Sequence, residues 1–222
     1  MKKIHILLVT FMLMLSSNSH AVLINAYDRG FYSDEGEHFS WNTNYSAGSW
    51  TGVPFSSRWV NFFAFDLTGL SGTVTSATFY LDAALTDNGT YDSTSGIYDL
   101  YDVDTSISAL LADSTTDVSI YTDLGSGTNY GSLNVSTSDN YQVLGITLNS
   151  SALADITSNL GGDFAIGGDI SNNFRIGGLS QTQSYTPRLS LEFDHVEVPE
   201  PSTFALLSLG LAGICWTRRK AA

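Results

Sequence analysis

Asp99, Asp102 and Asp104 crowd one short stretch near the middle of the chain. Carboxylate oxygens gathered beside a strand end are what Ca²⁺ selects, since it takes several hard oxygen ligands from side chains and backbone carbonyls. No EF-hand spacing and no repeated glycine-aspartate nonapeptide surrounds them, so the stretch reads either as a structural calcium site or as solvated loop carboxylates. A second cluster is aromatic: Trp41, Tyr45, Trp50, Phe55 and Trp59 stand among Ser, Asn, Gly and Thr. An indole face offers apolar area to sugar C–H groups while neighbouring amides and hydroxyls bond sugar hydroxyls, so Trp41, Tyr45, Trp50 and Trp59 form the candidate ligand site. The other reading is that these rings cap one end of a hydrophobic core.

Catalytic residues are not singled out. Glycoside hydrolysis needs two carboxylates at a set separation across a cleft, and among 22 Asp and Glu no pair stands apart. Beyond the first twenty residues the histidines are His38 and His195, too scattered for a histidine metal centre, and the single cysteine is Cys215. There is no Gly-x-Ser-x-Gly elbow. The expectation is a noncatalytic protein without an established cofactor, with a carbohydrate-active enzyme as the alternative.

The charges are unevenly placed. Of nine basic residues, Lys2, Lys3, Arg218, Arg219 and Lys220 lie at the ends, leaving Arg29, Arg58, Arg175 and Arg188 against all 22 carboxylates and no lysine between. A body this acidic is repelled by phosphate backbones and anionic lipid, which excludes nucleic acid as a partner.

The two ends read as addresses. Lys2 and Lys3 precede an apolar run from Ile4 to Leu15, followed by polar residues 16–20 and then Ala21. The run has the length of a signal-peptide core and is shorter than a membrane span, so residues 1–21 are expected to be a signal peptide cut by signal peptidase after Ala21. At the other end, Pro199-Glu200-Pro201 breaks any regular element, an apolar segment runs from Phe204 to Trp216, and Arg218, Arg219 and Lys220 follow. Ala205, Gly210, Ala212 and Gly213 suit a membrane helix of about 203–217 that packs closely on another helix.

Between these ends, residues 22–197 are expected to form one all-β domain, a two-sheet antiparallel sandwich. Segments rich in Val, Ile, Tyr, Phe and Thr alternate with Gly, Asn, Asp and Ser, predicting strands over 22–27, 58–66, 74–85, 96–103, 118–121, 129–135, 141–148, 164–169, 174–178 and 188–193. Helical turns are expected over 107–111 and 151–160, where Leu153, Ile156 and Leu160 share a face. From Val74 the alternation is clear, with Ala77, Phe79, Leu81, Ala83 and Leu85 on one side and Thr78, Tyr80 and Asp82 on the other. By contrast Trp59, Val60, Phe62, Phe63, Ala64 and Phe65 are apolar on both faces, as a central strand covered twice would be. The connection 66–72 supplies an Asp that can bond its own backbone and two glycines, a turn device and not a phosphate loop.

The tail, with Pro199, Glu200 and Pro201, the apolar segment and residues 218–220, resembles the PEP-CTERM sorting signal of exported proteins of Gram-negative bacteria. That resemblance spans 198–222 and implies processing by an exosortase, a membrane transpeptidase, with passage through the inner membrane to the cell surface or its polysaccharide matrix. The same tail is also catalogued as an ice-binding protein C-terminal motif. A flat ice-binding face would want repeated Thr-x-Thr rungs, and Thr73-Val74-Thr75 occurs once. Residues 63–70 followed by 74–81 resemble a strand-turn-strand of jelly-roll modules in exported proteins, including DNRLRE-type domains. Tyr98-Asp99-Leu100-Tyr101-Asp102-Val103 and Phe164-Ala165-Ile166-Gly167-Gly168 resemble pieces of PEP-CTERM proteins of unassigned activity. These likenesses imply a jelly-roll-like body that binds or organises extracellular polysaccharide, with a purely structural matrix role as a further alternative.

Overall fold

The computed structural model describes residues 21–42, 44–51, 56–82, 94–113, 116–140, 142–172, 174–177 and 186–194. Their elements run β1 (Ala21–Asn25), β2 (Asp28–Ser33), β3 (Ala47–Thr51), β4 (Ser56–Asp66), β5 (Val74–Asp82), β6 (Ser95–Tyr101), α1 (Ile107–Leu110), α2 (Val118–Leu124), β7 (Asn129–Ser136), β8 (Val143–Thr147), α3 (Ser150–Ser158), β9 (Asp163–Ile170), β10 (Arg175–Ile176) and β11 (Arg188–Phe193). The strands form two antiparallel sheets, a smaller one ordered β1-β11-β5-β8 and a larger one ordered β10-β3-β4-β9-β6-β7 with β2 also paired to β4. The sandwich expected from the strand pattern is present. Both membrane-directed segments, residues 1–20 and the predicted helix at 203–217, lie outside the described residues. Among the described residues no helix is long and apolar enough to cross a membrane.

Period-2 side-chain alternation decides what faces the core. In β5, Ala77, Phe79 and Leu81 are buried against the larger sheet, where Phe79 lies 4.8 Å from Phe63 and 6.3 Å from Phe65 between ring centroids. Thr78 and Tyr80 point outward and stay half-buried. The expected two-sided burial of β4 is also present. Phe63 and Phe65 enter the core between the sheets, while Val60 and Phe62 enter a second cluster with Ala165, Leu110, Ile120 and Leu124 under α1 and α2. The body therefore has a helical layer on the outer face of the larger sheet.

Local hydrogen bonds fix that layer. The Tyr32 hydroxyl donates 2.9 Å to the Leu110 carbonyl at the end of α1. Asp117 caps α2 by accepting from the Ser119 amide at 2.9 Å. Residues 118–121, expected as a strand, are thus the first half of a helix. Its β-branched residues favoured a strand reading, but Ile120 and Leu124 are buried four positions apart and Val118 is exposed, which is helical spacing behind an Asp cap. Two strands had no counterpart in the expectation: β2, which carries Asp28, Arg29 and Gly30, and the short β3 around Gly48.

The third helix matches the expected apolar face, with Ala152 and Ile156 in the main core and Leu153 and Leu160 packed against it. Asn149 caps it, accepting from the Ser151 and Ala152 amides at 3.0 and 3.2 Å and donating 2.7 Å to the Asn129 carbonyl. Because α3 packs on β5 of one sheet and β7 of the other, it ties the sheets together. The 66–72 turn also forms as expected. Asp66 accepts from the Thr68 amide at 2.8 Å and from its hydroxyl, and Gly69 and Gly72 take φ of 79° and 116°.

One polar residue is fully buried between the sheets. Asn61 donates 3.0 Å to the Tyr45 carbonyl and accepts 2.8 Å from the Tyr98 hydroxyl, whose own deprotonation burial pushes far out of reach. Opposite Asn61 stands Gly168, where a Cβ would lie 2.3 Å from the Tyr98 hydroxyl and 2.4 Å from the Asn61 amide oxygen. Its neighbour Gly167 faces the other way, and a Cβ there would lie 2.5 Å from the Leu124 carbonyl. Replacing Asn61 by Leu strands a buried hydroxyl and a buried carbonyl, so we expect a loss of about 2–4 kcal/mol in urea unfolding. Tyr98→Phe in that background should recover part of it, whereas purely additive losses would mean that the bond contributes nothing.

Candidate functional site

The aromatic segment proposed from sequence divides in space. Tyr45 is only 3% exposed and packs 5.4 Å from Phe63 within the main core, with the Arg29 guanidinium 5.7 Å from its ring. Trp59 is half-buried at the near end of β4, meeting the Phe31 ring edge-on at 6.0 Å. Cross-strand register places Trp59, Gly48 and Arg175 in one row. With no side chain on Gly48, the Arg175 guanidinium reaches across to 5.0 Å from the indole. Trp50 lies in β3 opposite Ser57, and its side chain is outside the described residues.

Trp41 lies elsewhere. It is 75% exposed and pairs with Phe39, itself 39% exposed, at 5.8 Å. The surrounding chain belongs to the helical side of the larger sheet. His38 stacks on Tyr32 at 4.7 Å and meets Phe62 edge-on, and the Ser40 amide donates 3.1 Å to Asp113 just beyond α1. Burial pushes the His38 imidazole below its usual range, which keeps that wall of the patch uncharged near neutrality. The exposed pair Phe39 and Trp41, rimmed by Ser40, Asn42 and Asp113, is the part of the segment open to a ligand. Phe39 was not among the sequence candidates; it is brought beside Trp41 by a turn closed by the Asn42 amide donating 2.9 Å to the Phe39 carbonyl, and its nearness in sequence was the only available signal.

Of the three aspartates, two share a cleft and Asp99 is bonded apart from it. Asp99 accepts from the Ser132 hydroxyl and from the Asn129 amide at 3.2 Å, while Asp102 accepts from the Thr128 amide at 2.7 Å. Asp102 and Asp104 line a cleft of about 330 Å³ with Asp155 and Asp163, which sequence reasoning had not placed there. The cleft's inner wall holds Tyr130 and Phe164, both buried and stacked at 6.2 Å. The Tyr130 hydroxyl donates 2.7 Å to Asp155, and burial together with that carboxylate pushes its deprotonation well above the ordinary tyrosine range. It is a fixed donor, not a base. Among the described residues, no three His, Cys, Asp or Glu side chains converge on a metal-sized point.

Half-buried Arg58 joins four elements. It donates 2.8 Å to both Asp169 oxygens, 2.7 Å to the Ile170 carbonyl and 3.2 Å to Ser49, and Tyr121 of α2 stands against it. This is a structural clamp between β3, β4, β9 and α2.

The sorting residues Pro199, Glu200 and Pro201 lie outside the described residues, and they are where comparison with known proteins is informative. Residues 197–220 match the PEP-CTERM protein-sorting motif. The chain carries a PEP-CTERM sorting signal. That signal marks an exported protein directed to the cell surface and handled by exosortase-type machinery. It covers the tail and leaves the body unassigned, and no curated protein matches the chain.

The geometry separates Trp41 from Tyr45 in a measurable way. Trp41→Ala should leave thermal stability nearly unchanged, within about 0.5 kcal/mol, because the ring is exposed. Tyr45→Ala should cost about 3 kcal/mol or more, because it empties a core position. Since each of Asp99 and Asp102 already accepts protein donors and the cluster does not converge, a chelator should leave the melting temperature where it was. A fall of several degrees, reversed by added Ca²⁺, would show an ion holding the body together.

Proposed function

We propose that this exported protein is delivered to the cell surface or extracellular matrix of a Gram-negative bacterium, where its β-sandwich body binds or organises polysaccharide without catalysing a reaction. The sorting motif at 197–220 is the observation that carries this reading, because it fixes the compartment in which a ligand must be sought. The ligand class is supported by the exposed Phe39 and Trp41 rings beside amide and hydroxyl groups, a surface that stacks on sugar C–H faces while bonding hydroxyls. The excess of carboxylates argues for a ligand without many negative charges of its own.

Topology fits a body handled from both ends. The first strand pairs with the last, Ala21 standing opposite Glu192, so the proposed signal-peptidase site is in register with a residue a few positions before the sorting motif. Cleavage after Ala21 would leave Val22 as the new terminus, already paired with Leu191 in the smaller sheet. Exosortase-type processing at Pro199 to Pro201 would then cut the chain beyond β11, after every described strand.

Two measurements test the reading. Mass spectrometry of native protein from cells and medium should find an N-terminus at Val22 and loss of the tail at or near 199–201, and an intact chain ending at Ala222 in the cytosol overturns the delivery. Purified protein should be retarded in gels containing soluble polysaccharide, and Trp41→Ala should weaken that retardation with an unaltered melt. Release of oligosaccharides in a glycan-degradation screen would instead favour a carbohydrate-active enzyme.

A further inference from the structure

The two outer faces of the sandwich are unequal. The larger sheet is covered by α1 and α2, whereas no described element lies over the outer face of the smaller sheet. That face is built by residues whose alternates fill the core: Leu23 and Asn25 of β1, Arg188 and Ser190 of β11, Thr78 and Tyr80 of β5, and Gly145 and Thr147 of β8. Strand register aligns them in two rows. One row reads Asn25, Arg188, Tyr80, Gly145 and the next reads Leu23, Ser190, Thr78, Thr147. At roughly 4.8 Å per strand the four-stranded face is about 14 Å across, wide enough to seat an extended sugar chain.

Tyr80 is the centre of this face. Its Cε1 and Cδ1 atoms stand 3.0 and 3.3 Å from where a Cβ on Gly145 would lie, so the ring leans over the bare backbone of β8. On its other flank the Arg188 guanidinium is 5.6 Å from the ring centroid. The ring is thereby held between a cation and a glycine instead of standing free, which limits the side-chain entropy lost when something stacks on it. Around it are three hydroxyls, Thr78, Ser190 and Thr147, and the Asn25 amide, with Glu192 and Ser76 in the row beyond Ser190 and Thr78, where the carboxylate adds an acceptor and a further charge against a polyanion. An apolar ring, a guanidinium and a field of neutral donors and acceptors are complementary to a polyol, and the many carboxylates of the body disfavour a polyanion.

We propose that the outer face of the smaller sheet, centred on Tyr80 and Arg188 with Thr78, Ser190 and Thr147, is a second binding surface for a neutral, hydroxyl-rich polysaccharide. It lies on the side of the sandwich away from the helical layer that carries Phe39 and Trp41. One body then contacts two polymer chains on opposite sides and joins them, which is what organising a matrix requires. This inference rests on the polysaccharide-binding reading above and adds the second surface to it.

The test uses the purified full chain with two soluble polymers, a neutral β-glucan and a polyuronate, measured by gel retardation and by the viscosity of protein–polymer mixtures. Wild type should be retarded by the glucan more than by the polyuronate and should raise the viscosity of the glucan solution. Tyr80→Ala should weaken glucan retardation about tenfold, the loss of one stacking contact of about 1.4 kcal/mol, and abolish the rise in viscosity. Tyr80→Phe should retain both effects. Ser190→Arg, which adds bulk to an outward position without opening the core, should act like Tyr80→Ala and guards against a folding defect. Trp41→Ala should also lose the viscosity effect while still being retarded. If the Tyr80 and Ser190 variants match wild type in both assays, the second surface is wrong and the binding reading stands. Stronger retardation by the polyuronate overturns the neutral ligand class. A wild-type chain retarded by neither polymer overturns the second surface and the reading beneath it.

Discussion

The pairing of β4 with β9 is buried on both faces, and every other layer is set by that. A strand covered on one side can absorb a misplaced side chain by turning it to water; this pair has no such outlet. Its solution is two consecutive glycines in β9. Gly168 opens the inner face for the bond between Asn61 and the Tyr98 hydroxyl, and Gly167 opens the outer face for the end of α2. Because successive strand residues point to opposite sides, adjacent glycines thin the strand on both faces at one point. The inter-sheet polar contact and the seat of the helical layer are thus fixed together. Arg58 works at the neighbouring position from the same strand pair, holding Asp169 and the Ile170 carbonyl.

From this follows the asymmetry of the body. Where β4 places Val60 and Phe62 outward, the outer face of the larger sheet needs a cover, and α1 and α2 provide it through Leu110, Ile120 and Leu124. Where β5 places Thr78 and Tyr80 outward, water is an adequate neighbour and no cover is required. The described body is consequently layered, with helices over the outer face of the larger sheet and no described element over the outer face of the smaller one. An open antiparallel face invites indiscriminate pairing at its edges, and Leu23 on edge strand β1 is such an exposure at 56%. Across the centre of the face, however, hydroxyls and a cation-backed ring make the surface polar.

How much of this could be read in advance depends on whether the information was local. The alternation of β5 and the two-sided apolarity of β4 are written in consecutive residues, and both were legible. So was the turn at 66–72, since Asp66 bonds its own neighbours. Residues 118–121 misled because a four-residue window with Val118, Ile120 and Tyr121 carries little periodic information, and the deciding features, Asp117 before it and Leu124 after, lie outside that window. The candidate site residues are dispersed for a related reason. Trp41, Tyr45 and Trp59 are close in sequence, yet the chain carries Trp41 to the helical side, Tyr45 into the core and Trp59 to a strand end. The aspartates likewise turn toward different partners. Conversely Tyr80, Arg188 and Gly145 are far apart in sequence and meet only through strand register, which no composition argument reveals.

The same register bears on how an exported body reaches its final form. The smaller sheet needs its first strand and its last, because β11 stands between β1 and β5 and bonds both. During export from the N-terminus, β1 has no partner until residue 193 has followed it, so this sheet closes only when little more than the sorting tail remains. Long-range antiparallel pairing of this kind pays its loop-closure entropy late and folds slowly. Until that closure occurs, strands Ala21–Asn25 and Arg188–Phe193 lack each other as partners, and such unpaired strands are the part of the chain most open to association with neighbouring chains. Sorting and completion of the sandwich are in this sense neighbouring events in the chain, since the sorting motif begins a few residues after the strand that closes the fold.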